Sequence, residues 1–267
     1  MLNPLIVANW KCNPVSQKEA RHLFEVVRKG IAGFSLRKNV EVVICPPFVW
    51  LSDFCRAGLL GLPKSKAKNL ALQSFYFGAQ DCFWEQQGAY TGAISPAMLK
   101  DLGCQYVLIG HSERRKHFQE TDEMINQKIK AVLKARLKPI LCLGEEEARD
   151  SFDYLIISQQ IEKALAGVSL GRIRDIVMAY EPVWAIGTGQ ACLPDEAMKT
   201  ALFIRKILTK LYGRKIAEEV RILYGGSVTA KNAADYIKAA GMDGLLVGGA
   251  SLNATEFVKI VERVASN

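Results

Sequence analysis

The stretch IVMAYEPVWAIGTGQ (Ile176–Gln190) opens with five consecutive apolar residues, Ile176 to Tyr180. A short continuous apolar run of this length suits a parallel strand buried on both faces, where an alternating run would suit a half-exposed one. The run ends on a carboxylate, Glu181. Pro182 then fixes the backbone, Trp184 adds bulk, and Gly187 and Gly189 flank Thr188. A buried strand that ends on a charge, followed by a segment stiff at one end and loose at the other, reads as a barrel rim and its loop.

The same pattern recurs along the chain. Seven further runs read as strands: Leu5–Asn9, Glu41–Cys45, Leu70–Gln73 (extending toward Gln80), Tyr106–Ile109, Pro139–Leu143, Val220–Tyr224 and Gly244–Val247. Helical patterns lie between them. Ser16 and Glu19 form a capping box ahead of the stripe Leu23, Phe24, Val27, Ile31. Thr121 caps a segment with Asp122 and Glu123 in its first turn and Ile125, Ile129, Val132 and Leu133 inside. Pro194 stands at a first helical position, before Ala197, Ala201, Ile204, Leu208, Leu211 and the terminating Gly213. Eight strand–helix units predict a (β/α)8 barrel, an α/β fold of eight parallel strands; a doubly wound open sheet shares the local pattern. No linker divides the chain, so residues 1–267 are expected to form a single domain. The irregular segment Gly58–Phe77 reads as a surface insertion, facing away from the active end.

Composition narrows the classes. Hydrophobic residues make up 49% and charged residues 23% of the 267, ordinary for a globular protein. No apolar run approaches the ~20 residues of a membrane helix, and the first residues lack the pattern of a secretory signal. The seven cysteines contain no C-x-x-C pair, which suggests neither zinc nor a disulfide framework and fits reduced thiols in the cytoplasm. The net charge of +8 is spread along the chain without a basic block among aromatics. It therefore reads as solvated surface, with a small anionic substrate as the other reading and no nucleic-acid or membrane partner expected.

Reactive groups in such barrels gather where strands end. Strand one offers Asn9 and Lys11, strand four His111, Ser112 and Glu113, strand five Glu145, and strand six Glu181. Strands seven and eight offer Gly225-Gly226-Ser227 and Gly248-Gly249. Taken singly each is ordinary: strand-end lysines are usually solvated, a lone histidine is usually packed, and glycines serve turns. Their convergence on one rim is the informative feature. No phosphate-binding P-loop or dinucleotide fingerprint accompanies them. The glycines after strands seven and eight stand where barrels bind phosphate through backbone N–H groups. The expected chemistry uses no metal and no cofactor, on a phosphorylated substrate.

These residues resemble the triosephosphate isomerase family. The shared motifs are ANWKCN (Ala8–Asn13), GAYTG (Gly88–Gly92), SPAMLKDLG (Ser95–Gly103), IGHSERR (Ile109–Arg115), CLGE (Cys142–Glu145), AYEPVWAIGTG, YGGSV (Tyr224–Val228) and GLLVGGASL (Gly244–Leu252), in the family's order over nearly the whole chain. The resemblance implies interconversion of dihydroxyacetone phosphate and glyceraldehyde 3-phosphate, in glycolysis and gluconeogenesis. It implies Glu181 as the carbon base and His111 as a neutral electrophile at a helix start. Lys11 would be the ammonium that binds substrate, Asn9 its polar partner and Glu113 the carboxylate touching the lysine. Gly187, Ser227, Gly248 and Gly249 would supply phosphate-binding amides. Residues Pro182 to about Cys192 would form a lid that excludes water, latched by Tyr224 and Ser227; this enzyme is a worked example of such a glutamate, histidine and closing loop.

The chain departs from the family pattern in two places. GTGQACL replaces the usual GTGKTAT, so Gln190, Ala191 and Cys192 alter the lid's far hinge, with closure expected to survive through backbone contacts. Ala93 stands where the family has a glutamate that pairs across a dimer with the arginine matching Arg114. Arg114 then needs another partner, for which Asp81 is the candidate. The resemblance still implies a homodimer through the third loop, with Thr91 reaching the other subunit's Asn9 region and Cys12 beneath that loop. Two other readings compete: another metal-free phosphate-binding barrel enzyme, and a non-catalytic barrel used as a scaffold. Intact Asn9, Lys11, His111 and Glu181 argue against the latter.

Overall fold

The computed structural model describes residues 3–35, 40–60, 75–145, 154–185 and 191–266. Eight strands form a closed parallel barrel in sequence order: β1 Leu5–Asn9, β2 Glu41–Cys45, β3 Phe75–Ala79, β4 Tyr106–Ile109, β5 Lys138–Leu143, β6 Val177–Tyr180, β7 Arg221–Tyr224 and β8 Gly244–Val247. The helices are α1 Gln17–Ser35, α2 Phe48–Leu60, α3 Pro96–Asp101, α4 Ser112–Phe118, α5 Asp122–Lys134, α6 Tyr154–Ala164, α7 Pro194–Tyr212, α8 Arg214–Glu219, α9 Ala233–Lys238 and α10 Ala254–Ala265. Closure is sealed where β1 pairs in parallel with both β2 and β8, Leu5 lying opposite Glu41 on one side and Gly244 on the other. The open-sheet alternative is thereby excluded.

The continuous apolar runs divide between two cores. Leu5, Val7, Val43, Leu108, Ile140, Val177, Leu223 and Leu246 fill the barrel interior. Their neighbours Ile6, Ala8, Val42, Ile44, Val107, Leu141, Met178 and Ile222 face the helices. Because successive strand side chains point to opposite faces, burial on both sides requires every position to be apolar. The lower mouth of the interior is closed by polar groups: Arg221 pairs with Glu41 across the barrel, and the Tyr106 hydroxyl donates to Glu41 Oε2 at 3.2 Å.

The helix signals hold with one exception. Ser16 Oγ accepts from Glu19 N–H at 3.3 Å, Thr121 Oγ1 accepts from Met124 N–H at 3.3 Å, and Pro194 opens α7. Leu211, placed on the buried stripe by its spacing, is 40% exposed; it lies in the last turn, beyond the core, while Ile207 is buried in its stead. The extension of the third run toward Gln80 contains the observed strand. The run Leu70–Gln73 lies outside the described residues, and β3 occupies Phe75–Ala79. Of the irregular segment Gly58–Phe77, residues 58–60 complete α2 and Phe75 to Phe77 begin β3; Gly61–Lys68 lies outside the described residues.

Asp81, just past β3, joins a buried ring of four charges. Its carboxylate contacts Arg114 Nη2 at 2.8 Å and Lys128 Nζ at 2.7 Å. Glu120 closes the ring, 2.9 Å from Arg114 Nε and 2.8 Å from Lys128 Nζ. Arg114 thus has its partners within its own chain, Asp81 among them. Burial raises the Asp81 carboxyl above its ordinary range, and the neighbouring Lys128 opposes that rise. Two cations and two carboxylates balance, so removing one leaves an uncompensated buried charge. Asp81→Ala should therefore lower stability by about 3 kcal/mol, read from urea unfolding at fixed protein concentration.

Candidate active site

The upper rim forms a cavity of about 460 Å³. Asn9, Lys11, His111, Glu181, Ser227, Gly248 and Gly249 all line it. Of the rim residues singled out from the sequence, Gly187 lies outside the described residues, Ser112 and Glu145 do not line the cavity, and Glu113 reaches the site through Lys11; the others are brought together.

Glu181 follows directly on β6 and is 2% exposed. Its N–H donates to Leu143 O at 2.7 Å, so its backbone extends the ladder between β5 and β6. The carbonyl of Glu181 passes over Gly144 so closely that a Cβ there would lie 1.8 Å from it; only glycine fits. Gln160 of α6 holds the same Gly144 peptide from both sides, accepting from its N–H at 3.0 Å and donating to its carbonyl at 3.1 Å. The side-chain carboxylate accepts from Ser112 N–H at 3.2 Å. Its other oxygen lies 3.2 Å from His111 Nε2. Cys142 packs against it as well: burial and then the Glu181 charge push that thiol well up, keeping it protonated.

His111 is the N-cap of α4, and its Nδ1 accepts from Glu113 N–H at 3.2 Å. An acceptor at Nδ1 places the ring proton on Nε2, which faces Glu181. The helix start thus selects the tautomer and aims the donor into the cavity.

Lys11 holds a left-handed backbone, φ 55°, unusual for a residue with a side chain. Its surroundings enforce this. Asn9 Oδ1 accepts from Lys11 N–H at 3.0 Å, and Gln80 Nε2 donates to the carbonyls of Lys11 at 2.8 Å and Cys45 at 2.9 Å. The ammonium then meets Glu113 Oε1 at 2.6 Å. Exposed pairs of this kind contribute little stability; what this one supplies is position.

Both described ends of the segment after Glu181 are anchored. At the near end, Val183 N–H donates to Glu145 O at 3.1 Å, and Trp184 Nε1 and the Tyr180 hydroxyl donate to Glu145 Oε1 at 3.1 and 2.8 Å. At the far end, Cys192 N–H donates to the Tyr224 hydroxyl at 3.1 Å, and the Tyr236 hydroxyl donates to Cys192 O at 2.6 Å. Both far contacts use the Cys192 backbone. Its side chain is buried, with the thiol pushed up to about 12, chiefly by burial. Residues 186–190, including Thr188 and Gln190, lie outside the described residues.

The family model described as triosephosphate isomerase matches residues 4–264. The chain belongs to the triosephosphate isomerase family. It is 46% identical over 265 residues to the triosephosphate isomerase of Alkaliphilus oremlandii, covering 98% of this chain and 99% of that one. To that of Endomicrobium trichonymphae it is 44% identical over 264 residues, at 98% and 99% coverage. The crystal structure of triosephosphate isomerase from Bartonella henselae superposes with a TM-score of 0.80 at 32% identity, covering 98% of this chain and 99% of that one. As a member of the triosephosphate isomerase family, the chain is an isomerase that interconverts dihydroxyacetone phosphate and glyceraldehyde 3-phosphate, a step of glycolysis.

Sequence reading missed Gln80, Gln160, Cys142 and Tyr236 as parts of this site. Gln80 carries the clearest signal of its own, a polar residue directly after β3. Gln80→Ala strips the donor from two strand-end carbonyls and releases Lys11. It should cost about 2 kcal/mol in urea unfolding and lower kcat/KM by about tenfold through lost positioning.

Proposed function

We propose that Glu181 is the base that carries the isomerisation, with His111 as its electrophilic partner. What supports this most directly is the 3.2 Å contact between the two side chains at the rim, with Lys11 in the same cavity. Glu181 takes the proton from the hydroxyl-bearing carbon beside the carbonyl. The C–H electrons form the carbon–carbon double bond, and the carbonyl π pair moves to oxygen, giving an enediolate. The hydroxyl proton of the enediolate passes to the charged oxygen, with His111 Nε2 as the relay, and Glu181 returns its proton to the former carbonyl carbon as the electron pair on the newly deprotonated oxygen closes the new carbonyl.

His111 Nε2–H donates to the substrate oxygens, where negative charge grows. That donor faces Glu181, so a substrate oxygen entering there displaces the carboxylate and frees it for carbon. Lys11, held by Glu113, adds positive charge to the same oxygens, with Asn9 beside it. Amides of Gly187, Ser227, Gly248 and Gly249 receive the phosphate. The segment from Pro182 to Cys192 covers the site. Expelling water strips the carboxylate of solvation and raises its basicity.

Glu181→Gln keeps the shape and removes the base. Its kcat should fall on the order of 10³-fold with an unchanged melting temperature, in a coupled assay of glyceraldehyde 3-phosphate isomerisation. Lys11→Met should lower kcat and raise KM together. Near-normal turnover in either variant removes that residue from its role.

We also propose that the chain is one barrel domain acting in the cytoplasm as a homodimer, joined through the third loop at Thr91, Cys12 and the Asn9 region. Thr91 and Cys12 are exposed in the single chain, and the seven cysteines are free thiols, as suits a reducing compartment. Among the described residues no helix is long and apolar enough to cross a membrane. Sedimentation across a dilution series should give a dimer at assay concentration; a fully active monomer would contradict it.

A further inference from the structure

A second, basic pocket lies at the other end of the barrel from the rim, where α5 turns into β5 and α6 leads toward β6. It encloses about 300 Å³, with Lys130, Lys134, Arg136 and Arg172 around it and Gly167 and Ser169 on one wall. Leu133 and Val168, both buried, line its floor.

Among the described residues, the carboxylate in ion-pair contact with the four is Asp175, 3.1 Å from Arg172 Nε. A helix C-terminus would ordinarily repel an anion through its bare carbonyls. At α5 those carbonyls are already used. Leu133 O accepts from Arg136 N–H at 2.9 Å and from Arg172 Nη2 at 2.7 Å, and Val132 O accepts from Leu137 N–H at 3.0 Å. At the end of α6, just before Gly167, Asn126 Nδ2 donates to the carbonyls of Ala164 at 2.8 Å and Ala166 at 3.0 Å. These acceptors are met within the protein, one of them by Arg172 itself, while Lys130, Lys134 and Arg136 line the pocket without a carboxylate in ion-pair contact among the described residues.

Two backbone positions add to this. Arg136 holds φ 57°, a left-handed conformation just past a helix end that glycine adopts freely; the chain carries a guanidinium there instead. Gly167, at φ 73°, has no side chain, and a Cβ would lie 3.3 Å from Lys130 Nζ. Its absence leaves that ammonium room against the wall.

We propose that this pocket binds a small phosphate-bearing anion of at least two negative charges, at a site separate from the isomerase rim. The Arg136 guanidinium offers paired donors to phosphate oxygens, Arg172 adds the N–H groups not engaged by Leu133 O and Asp175, and two ammoniums add charge. The affinity falls with ionic strength, since the site is open to solvent.

The probe is pyrophosphate, titrated into the ¹⁵N-labelled full chain and followed by amide resonances. Gly167 and Ser169 shift to saturation. The double variant K134Q/R136Q weakens this at least about tenfold, whereas K206Q/K259Q, on exposed lysines of α7 and α10, leaves it within about twofold; kcat/KM is unchanged in both. Citrate, a polycarboxylate, binds at least about tenfold more weakly. Absence of shifts at Gly167 and Ser169, shifts confined to Ser227, Gly248 and Gly249, or indifference to K134Q/R136Q overturns the site. Citrate binding as tight as pyrophosphate overturns its assignment to phosphate.

Discussion

Closure of the eight-stranded sheet is the constraint on which the rest depends. With β1 bonded to β8 there is no edge to protect, and each strand is buried on both faces. The interior has little room to spare: a Cβ at Gly78 would lie 2.6 Å from Cys45 Sγ. Polar groups are therefore forced to the two mouths. The lower mouth is plugged by Glu41, Arg221 and Tyr106. The upper one gathers Asn9, Lys11, His111 and Glu181, each at the end of a strand or within two residues of it.

At that upper mouth sits a carboxylate almost wholly out of water. Its contacts are a backbone N–H, an imidazole Nε2 and a thiol, rather than a cation. Pairing it directly with an ammonium would stabilise the charge and weaken it in the role of base proposed above. The chain instead gives the ammonium of Lys11 a carboxylate of its own, Glu113. Opposite charges share the cavity without quenching one another. The separation rests on local devices: the strained Lys11 backbone, the His111 cap of α4, and the glycine beneath Glu181.

Much of this is legible in the sequence because it rests on local pattern. Strands β1, β2, β4 and β8 match their apolar runs at both ends, since burial on both faces leaves an unbroken signal. The third strand is harder to place. An aliphatic run precedes it, and Phe75–Ala79 carries two small residues at its end where the barrel is tight. Leu211 has helical spacing but lies past the core it was expected to face. The strand-end residues are visible because each follows an apolar run. Gln80, Gln160, Cys142 and Tyr236 are not, because their roles come from contacts between distant segments: Gln80 with Lys11, Gln160 with Gly144, Cys142 with Glu181, Tyr236 with Cys192.

The ring of Asp81, Arg114, Glu120 and Lys128 closes within one chain. A charge balanced by a neighbouring subunit is satisfied only after association, and its contribution to stability grows with protein concentration. Here the four charges are matched as soon as β3, α4 and α5 come together. Their contribution does not depend on protein concentration, and the charge of Arg114 is met within its own chain. The placement of a single carboxylate, Asp81, makes the charge balance at Arg114 a property of the single chain.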